Sequence, residues 1–311
     1  MSSWLLLLVG ASLLYGGARW FVDGASAIAL ALRVPQLIVG LTVVAYGTSA
    51  PELFVGVQAA LGGHTEVTLG NVLGSNAANI GLVLGVTTLI RPPQVDGSLR
   101  RREVPLLLLV TLALFPLLLD DQVGRIDGIA LLACGFGYTA WMVRAARSSP
   151  SDNKEPSEDA PKRPWRSCAL TLVGLLALLA GGRLFIDGAV QIAAALGMSE
   201  RLVGLIVVAA GTSLPEVLTS VVAARKGHSD LAVGAVVGSN VFNILVCLGA
   251  ASSLTPIAAP LSSVWIDLLG VSVVTLAVSV FIRTERTMRR WEGATLLFLY
   301  IALMALSVWR G

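Results

Sequence analysis

The chain has 311 residues, of which 55% are apolar and only 13% charged, with a net charge of +3 and a mean hydropathy of +0.81. A soluble protein carries about 25% charged residues, so this composition excludes an ordinary soluble enzyme, a disordered chain and a nucleic-acid binder. It indicates an all-α polytopic membrane protein with the lipid bilayer as its main partner.

Charges and Gly/Pro clusters divide the chain into apolar runs. These predict helices near 3–31, 37–61, 67–89, 104–119, 124–145, 167–195, 202–224, 230–251, 261–282 and 292–309. The first run lacks the basic lead of a cleaved signal peptide and is read as a retained helix. Cys134, Cys168 and Cys247 lie in apolar runs without paired spacing, and read as small buried hydrophobes. Residues 147–166 are polar and Pro-rich, the composition of a linker. They separate a first half, 1–146, from a second, 167–311.

Lys and Arg set the orientation. Seventeen fall in the loops after the odd-numbered helices, and three, Arg125, Arg201 and Arg310, on the other side. This positive-inside bias places both termini outside and the linker in the cytoplasm. Short loops and the absence of a targeting segment point to a prokaryotic plasma (inner) membrane.

The halves match at a constant offset of 164 residues. Arg19 to Ala25 (RWFVDGA) corresponds to Arg183 to Ala189 (RLFIDGA). Val39 to Glu52 (VGLTVVAYGTSAPE) shares 11 of 14 residues with Val203 to Glu216 (VGLIVVAAGTSLPE). Gly74-Ser75-Asn76 matches Gly238-Ser239-Asn240, and Asn79 matches Asn243. Five helices per half is an odd number, so the second half enters the membrane from the opposite side. Such inverted repeats are common in secondary transporters, whose sites lie where Gly/Pro-interrupted helices meet at the midplane.

Glu52 and Glu216 sit deep in those interrupted helices, where a carboxylate costs several kcal/mol, about 2.5–3.5 on insertion scales. A bound cation is the simplest compensation; the bland reading is a protonated Glu bonded to a neighbouring helix. Pro51 and Pro215 remove backbone donors, so the carbonyls of Ala45, Thr48, Ala209 and Thr212 are expected to turn toward the ion. Ser49 lies three residues before Glu52, and Ser213 before Glu216, on the same helix face. Ser75 with Asn79, and Ser239 with Asn243, are i, i+4 pairs. An all-oxygen set without sulfur or imidazole suits calcium, sodium or magnesium.

The two GTSxPE and two GSNxxN segments resemble the alpha repeats of the sodium/calcium exchangers, in the cation/calcium antiporter superfamily. The likeness is to the prokaryotic members and covers nearly the whole chain. It implies ten helices, alternating access and exchange of calcium for sodium, with no enzymatic reaction, no cofactor and no obligatory protein partner. Carried over by motif position, Glu52 and Glu216 would hold calcium with the Thr48 and Thr212 carbonyls. One sodium site would use Ser75, Ser213, Glu52 and the Ala209 carbonyl. Its mirror image would use Ser49, Ser239, Glu216 and the Ala45 carbonyl. Asn79 and Asn243 would line the midplane; some members carry an aspartate at the position of Asn243.

Two ionised glutamates carry −2, which one calcium, two sodium ions or two protons neutralise. A calcium/proton antiporter using the same glutamates is therefore the alternative. An intramembrane hydrolase, which offers no reason for the duplicated Ser and Asn oxygens, and a channel, which would lack saturating counterflow, are further alternatives. Arg19 with Asp23 and Arg183 with Asp187, both i, i+4, are expected to neutralise one another. His64 and His228 are expected to be polar helix-end residues.

Overall fold

A computed structural model describes residues 2–148, 164–196, 209–284 and 286–310. Most of the expected linker, Arg201 and the first part of the helix expected over 202–224 lie outside the described residues. The first half begins with α1 (Ser3–Leu32). Then come α2 (Gln36–Thr48) and α3 (Ala50–Leu61), which meet at a bend of 46°. α4 (Thr65–Ile90) follows. Next are a π-helical turn (Leu99–Glu103), α5 (Val104–Leu112) and the short α6 (Leu114–Leu117). β1 (Gln122–Val123) precedes α7 (Arg125–Ser148). The second half contains α8 (Pro164–Ala195), α9 (Ala209–Thr212), α10 (Leu214–Arg225) and α11 (Ser229–Leu254). It ends with β2 (Ile257–Ala258), α12 (Leu261–Thr284) and α13 (Arg290–Arg310).

Among the described residues, six helices are long and apolar enough to cross a membrane, and α2 with α3 makes a seventh if the bent pair is one span. Their outward faces carry bare apolar side chains, such as Leu8, Phe54, Phe136 and Leu276. Water would penalise that surface and lipid would not. The helix expected over 104–119 is interrupted at Ala113. Pro116 has no N–H for the Leu112 carbonyl, so the ladder fails there.

The largest helix contact is between α1 and α8. α1 has glycines at 10, 17 and 24, and α8 at 174, 181 and 188, seven residues apart and related by the repeat offset. Gly10 faces the backbone of Gly181 and Phe185, Gly17 that of Gly174 and Leu178, and Gly24 that of Ser167 and Thr171. The partner numbers fall as the first set rises, so the two helices are antiparallel. A Cβ at Gly174 would lie 2.3 Å from the Phe21 nitrogen; only glycine lets the backbones approach so closely.

Two small clasps tie the halves together. β1 pairs antiparallel with β2, Gln122 opposite Ala258, and Asp121 (φ 61°) accepts bonds from the Ala259 and Leu261 N–H groups. Gln94 bridges to Thr287, and Val95 donates to the Arg286 carbonyl. The two clasps sit at repeat-related positions.

Candidate functional site

α2 ends at Thr48, and α3 starts at Ala50. Ser49 between them has φ −89° and ψ 7°, and its counterpart Ser213 has φ −87° and ψ 1°. Pro51 and Pro215 stand in the first turns of α3 and α10, where a missing N–H is tolerated. Glu52 and Glu216 are also in those first turns. The free N–H groups and the dipole of a helix N-terminus favour a negative charge there. Each broken helix thus gives its carboxylate a local reason to stay ionised.

The second pair of segments is widened rather than broken. α4 becomes π-helical over Asn79–Leu84 and α11 over Asn243–Leu248. π turns inside α-helices mark functional positions in many proteins. α3, carrying Glu52, packs on the π segment of α11, and α10, carrying Glu216, packs on that of α4. Each glutamate therefore stands on a helix that packs against the opposite half.

Glu52 and Glu216 are each 5% exposed. Thr48, Ser49, Ser213, Ser239, Asn79, Asn243 and Ala45 are buried as well. Thr48, Glu216 and Ser239 line one closed space with Thr219 and Ser220. Ser49 Oγ, Glu52 Oε2 and both carboxylate oxygens of Glu216 are buried with no hydrogen-bond partner among the described residues. Leaving such groups unpaired costs about 1–3 kcal/mol each, and more when charged. A hard cation bound by these oxygens would offset that cost.

Three expected residues stand apart from this buried set. Ser75 is half-buried, and Thr212 is exposed. Thr212 lines a cavity of about 280 Å³ with Pro51, Gly182, Arg183, Asp187 and Pro215. Ala209 is described only as the first residue of α9. The Ala45 carbonyl is not free: it accepts from the Ser49 N–H at 3.0 Å and the Ser239 hydroxyl at 3.4 Å. The proline acts elsewhere, since Pro51 deprives the Gly47 carbonyl of its i+4 donor.

Asn243 is engaged at both ends of its amide. Its Nδ2 donates to Asn76 Oδ1 at 3.1 Å, and its Oδ1 accepts from Cys247 Sγ at 3.5 Å. Asn76 Nδ2 in turn donates to the Asn240 carbonyl at 3.3 Å. An aspartate at 243 could not donate to Asn76. Asn76 is not among the expected site residues, although it lies inside the repeated GSN motif. Nor is Asn71, whose amide donates to the Glu52 carbonyl at 3.1 Å.

The expected i, i+4 neutralisation is absent. Asp23 pairs with Lys226, and Arg19 lies over the Tyr15 ring at 5.8 Å. Among the described residues Arg183 and Asp187 form no ion pair. A tertiary partner outcompetes the local one at Asp23 because an i, i+4 pair contributes only about 0.3–0.5 kcal/mol. Cys134 and Cys168 are exposed on apolar helices, and only Cys247 is buried. A lipid-facing side of an apolar helix needs no burial in protein to exclude water.

The family described as sodium/calcium exchanger protein matches residues 2–144 and 166–309. The chain is 38% identical over 305 residues to a putative antiporter CaxA of Alkalimonas amylolytica, covering 96% of each. It is 28% identical to the sodium/calcium exchanger MaX1 of Methanosarcina acetivorans, covering 97% of each. Among solved structures it is similar to the sodium-calcium exchanger NCX_Mj, with a TM-score of 0.85 and 32% identity, over 98% of this chain and 99% of that one.

Proposed function

Because the chain belongs to the sodium/calcium exchanger protein family, we propose that it exchanges calcium for sodium across a prokaryotic inner membrane by alternating access. The observation that carries this reading is the pair of buried carboxylates with unpaired oxygens, Glu52 and Glu216, brought together from the two halves. Ser49, Ser213 and Ser239 add hydroxyls, Thr48 and Thr212 carbonyls, and Ser75, Asn79 and Ala209 complete the set carried over by motif.

The proposed architecture is ten spans in two inverted halves, 1–146 and 167–311. The antiparallel glycine seam between the repeat-related α1 and α8 supports it. The bias of Lys and Arg supports both termini outside and the linker of 147–166 in the cytoplasm. Two buried carboxylates also account for obligatory exchange. An occluded state without ions would bury −2 uncompensated, and that barrier keeps the unloaded carrier from changing sides. Three sodium ions per calcium would move one net charge and respond to membrane potential; two would not.

The test is calcium-45 uptake into proteoliposomes under an outward sodium gradient, an outward proton gradient, or neither. Uptake driven by sodium is expected. Glu52→Gln and Glu216→Gln should each lower it at least ~10²-fold, about 2.7 kcal/mol. Uptake driven by protons alone would transfer the same site to calcium/proton exchange. Gradient-independent calcium flux would sink the exchange reading.

A further inference from the structure

The two ends of the site are related by the repeat, yet they differ in charge: α3 ends at Leu61 and Gly62 where α10 ends at Arg225 and Lys226. On one side, α8 lines the open cavity of about 280 Å³ with Gly182, Arg183, Ile186 and Asp187. The repeat-related positions on α1 are Ala18, Arg19, Val22 and Asp23. There Ala18 and Val22 are fully buried, Thr48 is 2% exposed, and Phe21 packs toward Gly47. Among the described residues the α1 side is closed where the α8 side is open. At the closed side Lys226, at the end of α10, reaches α1: its ammonium donates to the Asp23 carboxylate.

Lys226 caps the C-terminus of α10 with φ −77° and ψ −3°. Its repeat-related residue, at the C-terminus of α3, is Gly62, with φ −79° and ψ −2°. The next residues are Gly227 and Gly63, with φ of 87° and 80°. The two turns have the same backbone, and only one carries a lysine. Asp187 has no such partner at position 62 to close upon.

We propose that the Lys226–Asp23 ion pair is a one-sided latch: it holds α10 against α1 in the state closed on that side, and among the described residues it has no counterpart on the other. This rests on the alternating-access reading above. In that cycle the α1 passage opens only after the pair breaks, whereas closing the α8 passage forms no matching pair. Lys226 is thus a positioning residue that biases the carrier toward the state seen here. The pair is partly exposed, 27% and 45%, so water and salt weaken it. A bias of a few-fold is expected, not an absolute lock.

The test reads conformation directly. In the full chain, solubilised at low salt, Cys134, Cys168 and Cys247 are replaced by Ala. A reporter, Leu179→Cys, is placed on the wall of the open passage. The rate of its modification by a water-soluble thiol reagent is measured with calcium, with sodium and with neither. Lys226→Ala and Asp23→Asn should each slow modification two- to fivefold. The exchange Asp23→Lys with Lys226→Asp should restore it, which a folding defect would not allow. Gly62→Lys gives Asp187 the missing partner and should slow modification by closing the α8 passage. Modification that responds to the ions but is unchanged by Lys226→Ala overturns the latch alone. Modification that responds to neither ions nor variants overturns alternating access along this passage and the latch with it.

Discussion

The two GTSxPE segments are nearly identical in sequence and occupy different surroundings. Thr48 is buried beside Glu216, while its counterpart Thr212 is exposed to a cavity. Gly47 packs against Phe21 and Leu175; Gly211 faces Ile186. Both serines keep the same backbone angles, so the local fold of each motif is unchanged. The difference lies in what packs outside the motif, along α1 on one side and α8 on the other. One repeated sequence therefore supports two environments, as the proposed alternation between two related states would require.

The seam between α1 and α8 is where the halves are most alike, and substitutions there should have the largest structural effect. Gly174→Ala sets a Cβ 2.3 Å from the Phe21 nitrogen, and Gly10→Ala sets one 2.6 Å from that of Phe185. Overpacking of this kind costs about 1–3 kcal/mol. Both variants should lower the midpoint of thermal unfolding in detergent by similar amounts. A clear drop from one and none from the other would break the symmetry of the seam.

The asparagines offer a contrast within one motif. Asn76 donates across to the Asn240 carbonyl and accepts from Asn243, whereas Asn240 Nδ2 donates to the Val236 carbonyl within its own helix. Polar links between membrane helices contribute about 0.6 kcal/mol each on average. Asn76→Ala removes two links between the halves and should cost about 1 kcal/mol. Asn240→Ala removes one bond inside α11 and should cost less. Equal losses in unfolding experiments would show that the bonds across the halves carry no special weight.

Much of this was legible in the sequence because membrane helices obey strict rules of length and polarity. The repeat offset, the two interrupted helices and the buried glutamates all follow from residues that hydrocarbon would penalise. The glycine seam was legible too, since the seven-residue spacing in α1 recurs in α8, but it appears only when both helices are read together. The partner of Asp23 was not legible. Lys226 is 203 residues away, and an i, i+4 arginine offers a plausible local alternative. Nor does sequence reveal which of two equivalent motifs faces a cavity, because that is set by what packs outside the motif. The freed carbonyl was misplaced for a simpler reason: proline acts on the residue four before it, Gly47, and not on Ala45.

The smallest effect concerns the junction beside the latch. His228 Nδ1 lies 3.0 Å from Gln36 Oε1, and Gln36 Nε2 donates to Ser26, so the start of α11 is tied to α2 and α1. Burial pushes the His228 pKa below its usual 6.5; the Asp23 carboxylate pulls it up, and the Lys226 ammonium pushes it down. A histidine whose pKa is lowered by folding binds fewer protons folded than unfolded just below pH 6.5. The junction should therefore lose stability as pH falls through 6.5, and the loss should level off below the lowered value. Histidine proton titration by NMR checks the sign: His228 should titrate below 6.5 in the unaltered chain. Lys226→Ala should raise its pKa by removing a like charge, and Asp23→Asn should lower it by removing an opposite one. If the His228 titration is unchanged in both variants, Lys226 and Asp23 are farther from it in solution than in the structure.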